Sequence, residues 1–164
     1  YQKSFGLKST ILRFSNVYGP GSLAKNSIVS KMIKQAFDSQ TVSIFGDGLQ
    51  TRDFVYIDDL VNVLIWCSDK DICLKKPLHL CTELPTRVID IAKFIINSIQ
   101  DNVSSINNIE LIFKDQLVGD AYKNYSSVNQ LISLKAPKIR LINQELINET
   151  VIWFLENIKN YSNL

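Results

Sequence analysis

Histidine and cysteine are scarce in this sequence of 164 residues, and their scarcity excludes several kinds of catalytic site. The one histidine, His79, would have to be the base of any serine or cysteine hydrolase, but the alternating residues 77–81 around it predict a strand. Cys67, Cys73 and Cys81 form no Cys-x-x-Cys pair, which excludes a zinc site of ordinary spacing. We therefore expect no metal site, a structural histidine, and reduced thiols that are mostly buried.

The sequence also lacks a strong charge imbalance and a long apolar run. Its net charge is +2, so neither a nucleic acid nor an acidic surface is implied as a partner. The longest apolar run, residues 61–67, is far too short to span a bilayer, which argues against a membrane partner. The first residues do not have the charged and apolar segments of a signal peptide, and we expect a cytoplasmic protein.

Two motifs of dinucleotide-dependent catalysis are missing as well. No three of the six glycines have the spacing of a dinucleotide-binding Gly-x-x-Gly-x-x-Gly loop. None of the six tyrosines is followed four residues later by a lysine, so the sequence contains no Tyr-x-x-x-Lys pair that could supply a general base. We expect this chain alone to bind no dinucleotide and to be catalytically inactive.

Two long motifs stand out among the residues that are present. Residues 12–21 read Leu-Arg-Phe-Ser-Asn-Val-Tyr-Gly-Pro-Gly, a short apolar strand that enters a loop rich in glycine and proline. Residues 45–59 read Phe-Gly-Asp-Gly-Leu-Gln-Thr-Arg-Asp-Phe-Val-Tyr-Ile-Asp-Asp, a strand, a tight turn, a second strand and an acidic helix start. Each motif places a polar side chain, Asn16 or Arg52, beside tightly turned backbone that a ligand can approach closely. We interpret them as one binding face.

Strands alternate with helices along the chain, and this alternation predicts an α/β fold. The predicted strands cover 9–14, 41–45, 78–81 and 109–113, and the predicted helices cover 26–38, 58–68, 88–99, 128–134 and 143–159. The helix at 26–38 has one apolar face, and Lys31, like the other scattered lysines, is expected to lie on a solvated face. Asp58 or Asp59 is expected to cap the helix that follows it.

Together the two motifs resemble those of the extended short-chain dehydrogenase/reductase family, the NAD-dependent nucleotide-sugar epimerases and dehydratases. Nearly every position of both family patterns is filled, and the resemblance runs from residue 1 to about residue 153, over the second half of the family's sequence. It implies the last part of a Rossmann-like doubly wound sheet plus the small C-terminal substrate-binding lobe. Residues 1–164 would be that single C-terminal portion, without an N-terminal dinucleotide-binding unit.

The resemblance also implies partners and binding residues. The substrate would be a UDP- or dTDP-sugar, and a complete parent protein would be a homodimer that uses NAD or NADP, whereas this chain alone would bind neither cofactor. In the family, the asparagine and the arginine of the two motifs contact the substrate's diphosphate, which implies these roles for Asn16 and Arg52. The alternatives are a loop asparagine that bonds its own backbone and a solvated arginine on a strand.

Two further assignments rest on the same resemblance. The strand Ser43, Ile44 and Phe45 would pair its backbone with the pyrimidine base of the nucleotide. Phe14 would lie beside the nicotinamide ring, although its position in the sequence equally fits a core residue. No catalytic residue carries over.

The sequence departs from the family pattern at two places. Cys81 stands where relatives have glycine, so the backbone there is expected to approach the ligand differently. Leu117 stands where relatives often have an arginine that clamps the diphosphate, and Tyr122 or Lys123 could substitute for it. Three hypotheses follow: the substrate-binding half of a nucleotide-sugar epimerase or dehydratase, a non-catalytic sugar-nucleotide-binding module, and an inactive truncated remnant.

Overall fold

The structure, a computed structural model, describes residues 2–70, 72, 74 and 76–161. Its strands are β1 (Leu12–Phe14), β2 (Asn16–Tyr18), β3 (Thr41–Phe45), β4 (Thr51–Arg52), β5 (Phe54–Tyr56), β6 (Leu78–Leu80), β7 (Thr86–Arg87), β8 (Glu110–Lys114) and β9 (Lys123–Asn124). Its helices are α1 (Gln2–Phe5), α2 (Ile28–Ser39), α3 (Ile57–Asp69), α4 (Val88–Asn102), α5 (Asn129–Ser133) and α6 (Gln144–Tyr161). Cys67 is a free, half-buried thiol and Cys81 a free, buried one, while Cys73 lies outside the described residues.

Parallel pairing dominates the sheets. β1 pairs with β6, β2 with β5 and β3 with β8, each pair in parallel. β4 lies between β7, which is antiparallel to it, and β9, which is parallel to it. Parallel strands need long crossover connections, and helices lie between the paired strands along the chain. The predicted α/β fold is confirmed.

Two apolar clusters hold these elements together. The larger is formed by α2, β3, α4 and α6, and Ile33, Ile44 and Phe154 are completely buried in it. The smaller joins α3, β5, β6 and α5, with Val63 and Leu78 at its centre. Burying a side chain of this size contributes about 1.5–3 kcal/mol, so packing of the helices on the strands supplies most of the stability.

The expected cap of α3 is wrong. Tyr56 occupies the N-cap position, and no side chain of the described residues caps the helix there. Asp58 is exposed in the first turn, whereas Asp59 is buried and accepts hydrogen bonds from the main-chain N–H of Arg140 at 2.8 Å and from its Nε at 2.9 Å. A buried carboxylate needs a charged partner more than a helix end needs a cap, and Arg140 supplies it.

Arg140 contacts Tyr56, which in turn binds the final helix. Its guanidinium lies 4.9 Å from the ring centre of Tyr56, and the Tyr56 hydroxyl donates to Glu149 of α6 at 2.7 Å. Burial, followed by the hydrogen bond to Glu149, raises the pKa of Tyr56, so this phenol is neutral at physiological pH. The position of α6 is thus fixed by polar contacts as well as by its apolar face.

Element boundaries differ from the predicted ones by a few residues. The strand predicted over 9–14 is reduced to Leu12–Phe14, because its partner β6 is only three residues long. The helix predicted over 88–99 continues to Asn102. Among the described residues, no helix has both the length and the apolar character needed to cross a membrane.

Candidate functional site

A cavity of about 260 Å³ lies between α2, β3 and β4. Four of the six binding residues expected from the sequence line it: Ser43, Ile44, Phe45 and Arg52. The sequence around the cavity explains its shape, since the apolar face of α2 is buried against β3 and its polar face is left beside the strand's open edge.

The edge of β3 that faces this cavity carries main-chain hydrogen-bonding groups. Parallel pairing with β8 engages alternate residues, as the bonds Gly46 N–H to Lys114 C=O and Glu110 N–H to Gln40 C=O show. The main-chain N–H and C=O groups of the even-numbered residues of β3 therefore point toward β8. Those of Ser43 and Phe45 point to the opposite edge of the strand. Among the described residues β3 has no second neighbouring strand, so this edge of the strand is left open.

Two glutamines contact this open edge. The Ser43 N–H donates to Oε1 of Gln35 at 3.1 Å, and Nε2 of Gln50 donates to the Phe45 carbonyl at 2.6 Å. Both glutamines line the cavity. The outer two of the four main-chain groups on Ser43 and Phe45 are thus engaged by side chains.

Arg52 is the least exposed of the charged residues that line the cavity. Its side chain is 13% exposed, and its guanidinium donates to Oδ1 of Asp120 at 2.5 Å and to the Thr51 carbonyl at 2.9 Å. Asp120 is itself 34% exposed at the cavity mouth. The guanidinium is therefore held by one carboxylate and one main-chain carbonyl.

A second cation, Lys31, also lines the cavity. Its Nζ lies 5.5 Å from the ring centre of Phe45, within the range of a cation–π contact. Leu117, at the position where the resemblance often implies an arginine, lines the cavity too. Among the described residues, the second cation that lines the cavity beside Arg52 is Lys31. Neither Tyr122 nor Lys123, the two expected substitutes, lines it. Lys31 is exposed, as expected of a solvated lysine, but it also lines the cavity.

The other two expected binding residues lie in a second cavity of about 270 Å³. Phe14 and Asn16 line it together with His79, and Phe14 is 56% exposed at the end of β1. Asn16 does not bond its own loop as the alternative reading held. It lies in β2, and its Nδ2 donates to the Asp53 carbonyl at 2.9 Å.

The segment Arg52–Asp53 connects the two cavities. Arg52 lines the first, and Asp53 accepts through its carbonyl both the main-chain N–H and the side-chain amide of Asn16, which lines the second. In addition Asp53 donates its own N–H to the carbonyl of Asn124, another residue of the second cavity. Adjacent residues of this one segment therefore link the walls of the two cavities.

The Asp53 side chain is structural, and it positions the loop that carries Cys81. It is 1% exposed and accepts from the Thr82 N–H, the Thr82 hydroxyl and the Glu83 N–H at 2.7–3.0 Å. Cys81 is buried, and its thiol donates to the Ser126 carbonyl at 3.2 Å. The Cys81 residue lines a third and larger cavity, of about 720 Å³, which contains none of the expected binding residues.

The turn after β3 needs glycine at Gly48. Its φ is +75°, and a Cβ placed there would lie 3.1 Å from Cβ of Ile89 and 3.3 Å from Cγ2 of Ile44. The Gly48 carbonyl accepts the Ile89 N–H at 3.0 Å, which joins the turn to the start of α4. This close contact holds the end of β3 against α4 and thereby shapes one wall of the first cavity.

The cavity residues that sequence reasoning missed include Lys31, Gln35, Gln50 and Asp120. For two of them a signal existed, since Ile28, Lys31 and Gln35 are spaced by three and four residues and so share one face of α2. The pairing of Asp120 with Arg52 had no local signal, because the two are 68 residues apart.

Known proteins match this chain in sequence and in fold. A family model described as the NAD dependent epimerase/dehydratase family matches residues 1–74. An uncharacterized UDP-glucose epimerase of Bacillus subtilis is 33% identical over 130 residues, which make up 79% of this chain and 39% of that protein.

Two solved structures share the fold over nearly the whole chain. An epimerase from Methanothermobacter thermautotrophicus superimposes with a TM-score of 0.84 at 21% identity, over 99% of this chain and 47% of that one. A UDP-glucose 4-epimerase from Thermotoga maritima, solved with UDP-glucose, gives a TM-score of 0.80 at 24% identity, over 96% of this chain and 49% of that one. The chain thus spans about half the length of the proteins it matches.

Proposed function

Because the chain belongs to the NAD-dependent epimerase/dehydratase family, we propose that it binds a nucleoside-diphosphate sugar and orients the sugar for epimerisation or dehydration. The nucleotide occupies the first cavity, its diphosphate contacts Arg52 and Asn16, and the sugar extends into the second cavity. In this proposal residues 1–164 form the substrate-binding portion of such an enzyme.

The position of Arg52 carries the proposal. Its guanidinium is mostly withdrawn from solvent in a cavity that also contains the ammonium of Lys31. A diphosphate has several negative charges, and the planar fork of arginine matches phosphate oxygens with two parallel hydrogen bonds. The two cations of this cavity suit the diphosphate of such a ligand, and its open strand edge suits the base.

Asp120 is the residue that the diphosphate replaces. It pairs with Arg52 in this structure, and it lies in a loop whose residues 115–121 are all exposed. Exchange of Asp120 for a phosphate substitutes one anion for another, so the mostly buried guanidinium stays paired throughout. The cost of opening the site is therefore limited to moving an exposed loop residue.

The cofactor implied by the family's name does not fit the residues of this chain. The six glycines lack the spacing of a dinucleotide-binding loop, so no pyrophosphate cradle of that kind is encoded. Phe14, the one residue expected beside the nicotinamide, is a half-exposed ring at the end of a three-residue strand. The role proposed for this chain is therefore substrate binding and orientation, with no step through NAD or NADP.

A non-catalytic sugar-nucleotide-binding module is the second candidate. The observation that favours it is the lack of a Tyr-x-x-x-Lys pair in the sequence. Both candidates bind the nucleotide sugar, but only the first is part of a protein that converts it. This chain alone is expected to convert no sugar in either case, so the upstream coding sequence separates the two candidates: an in-frame Gly-x-x-Gly-x-x-Gly loop and Tyr-x-x-x-Lys pair there support the first. A remnant without function binds neither UDP-glucose nor dTDP-glucose.

The binding proposal is tested by comparing two arginine substitutions. Arg52→Ala is expected to weaken the binding of UDP and UDP-glucose by about 1.5–3 kcal/mol, the range for loss of a charged hydrogen-bonding partner, measured by isothermal titration. Arg87→Ala is the matched control, since Arg87 lies on the adjacent strand β7 and pairs with Asp90 at 2.7 Å outside the cavity. The control is expected to bind as the unmodified chain does.

Stability measurements on the same two variants complete the test. Both arginines form ion pairs with exposed or half-exposed partners, so each substitution is expected to change the free energy of unfolding by no more than about 1 kcal/mol. An Arg52→Ala chain that binds UDP normally, or that simply unfolds, would assign Arg52 a structural role and remove the proposal's main support.

A further inference from the structure

Within the described part of the chain, the open edge of β3 has four main-chain groups in a row, of which the outer two accept or donate hydrogen bonds and the inner two do not. Read along the strand, the edge presents the Ser43 N–H, the Ser43 carbonyl, the Phe45 N–H and the Phe45 carbonyl. Side chains of Gln35 and Gln50 engage the first and the last. Among the described residues, no hydrogen bond is made to the Ser43 carbonyl or by the Phe45 N–H. One acceptor and one donor therefore remain side by side for a ligand.

The orientation of Gln35 follows from its partner. A main-chain N–H can only donate, so the Gln35 oxygen must face the Ser43 N–H and its Nε2 amide is left with its hydrogens to donate. Gln35 lines the cavity next to the same strand edge. The wall consequently presents a donor from Gln35, an acceptor from Ser43 and a donor from Phe45, in that order.

We propose that Gln35 is a specificity-determining residue that selects a nucleotide with an imide base, uracil or thymine. The imide edge has an acceptor, a donor and an acceptor in sequence, which are the O4, N3–H and O2 groups. These complement the Gln35 amide, the Ser43 carbonyl and the Phe45 N–H at all three positions. This inference rests on the proposed function, because it assumes that the nucleotide occupies the first cavity.

Other bases mismatch this wall. Guanine offers an acceptor followed by two donors, so in either orientation one of its donors meets a donor of the wall. Cytosine offers a donor and two acceptors, and it mismatches at two of the three positions in either orientation. A buried donor or acceptor without a partner weakens binding by about tenfold or more. We expect UDP and dTDP to bind at least about tenfold more tightly than GDP or CDP.

Gln35→Glu tests the proposal by reversing one group. A carboxylate still accepts from the Ser43 N–H but offers no donor to the base, so the wall becomes acceptor, acceptor, donor. That order mismatches uracil and matches guanine in its reversed orientation. The ratio of UDP to GDP affinity, measured by isothermal titration, is expected to fall by at least about tenfold. Using a ratio cancels the repulsion between the new carboxylate and the diphosphate that both ligands share.

Two further variants keep the test decisive. Gln40→Glu makes the same charge change at the exposed end of α2 and is expected to leave the ratio unchanged. Gln35→Leu removes the amide donor at similar size. It is expected to weaken the binding of UDP about tenfold without strengthening the binding of GDP. This variant tests the proposal if the glutamate variant does not fold.

The outcomes separate this inference from the proposed function. Equal binding of UDP, GDP and CDP, or an unchanged ratio in Gln35→Glu, would overturn the role of Gln35 while Arg52→Ala still weakens all three nucleotides. If no nucleoside diphosphate binds the unmodified chain, the proposed function and the role of Gln35 fail together.

Discussion

Replacing Asp53 by asparagine is expected to lower the free energy of unfolding by about 2–4 kcal/mol. The carboxylate is almost completely buried and accepts hydrogen bonds from three donors, the N–H and hydroxyl of Thr82 and the N–H of Glu83. Asparagine keeps the size but turns an amide nitrogen toward one of these donors, and it replaces a charged acceptor by a neutral one. A charged hydrogen bond contributes about 1.5–3 kcal/mol and a neutral one about 0.5–1.5, while an orphaned buried donor costs about 1–3.

Urea denaturation followed by far-ultraviolet circular dichroism measures this effect. Asp38→Asn is the matched control, because Asp38 is exposed in the last turn of α2 and its loss is expected to change stability by less than about 0.5 kcal/mol. Glu83 has a φ of +62°, which a non-glycine residue rarely adopts, and its N–H is one of the three bound to Asp53. An Asp53→Asn chain as stable as the control would show that this loop does not depend on the carboxylate.

Three further predictions concern Cys81 and cofactor binding. Cys81→Gly is expected to lower the unfolding free energy by about 1–2 kcal/mol, through lost burial and glycine's backbone entropy, with UDP affinity unchanged; tighter binding would restore the ligand-approach role of this position. Burial, and then the nearby Asp53 carboxylate, raise the pKa of the Cys81 thiol to about 11, so at pH 8 it stays protonated and iodoacetamide is expected to label it only after unfolding, as mass spectrometry of the peptides would show. Isothermal titration of this chain with NAD or NADP is expected to give no measurable heat of binding, and a micromolar dissociation constant for either would refute that expectation.

Much of the local structure was predictable from the sequence, because its causes are local. The strand at 41–45 was predicted with its observed bounds, since it alternates in hydrophobicity and ends at glycines. The apolar face of α2 was predicted from spacing, and Val29, Met32 and Ile33 are indeed buried. Two long motifs, in the right order, also identified the family.

The two cavities divide the predicted binding residues in a way that the sequence did not indicate. Ser43, Ile44, Phe45 and Arg52 line one cavity, while Phe14 and Asn16 line the other. The roles of all six remain predictions. Their grouping depends on which strand pairs with which, and β4 pairs with β9, a segment some seventy residues later that no local pattern connects to it.

The sequence by itself determined the α/β class, the helices and strands of the core and the glycine-rich turns, because hydrophobic periodicity and backbone strain act over a few neighbouring residues. Only the tertiary structure decided the partners of the charged groups. Arg52 meets Asp120 and Asp59 meets Arg140 across 68 and 81 residues, and Lys31 and Gln35 face a cavity rather than bulk solvent. A polar side chain on a helix has the same spacing in either environment, so what it faces is set by the elements that pack around it.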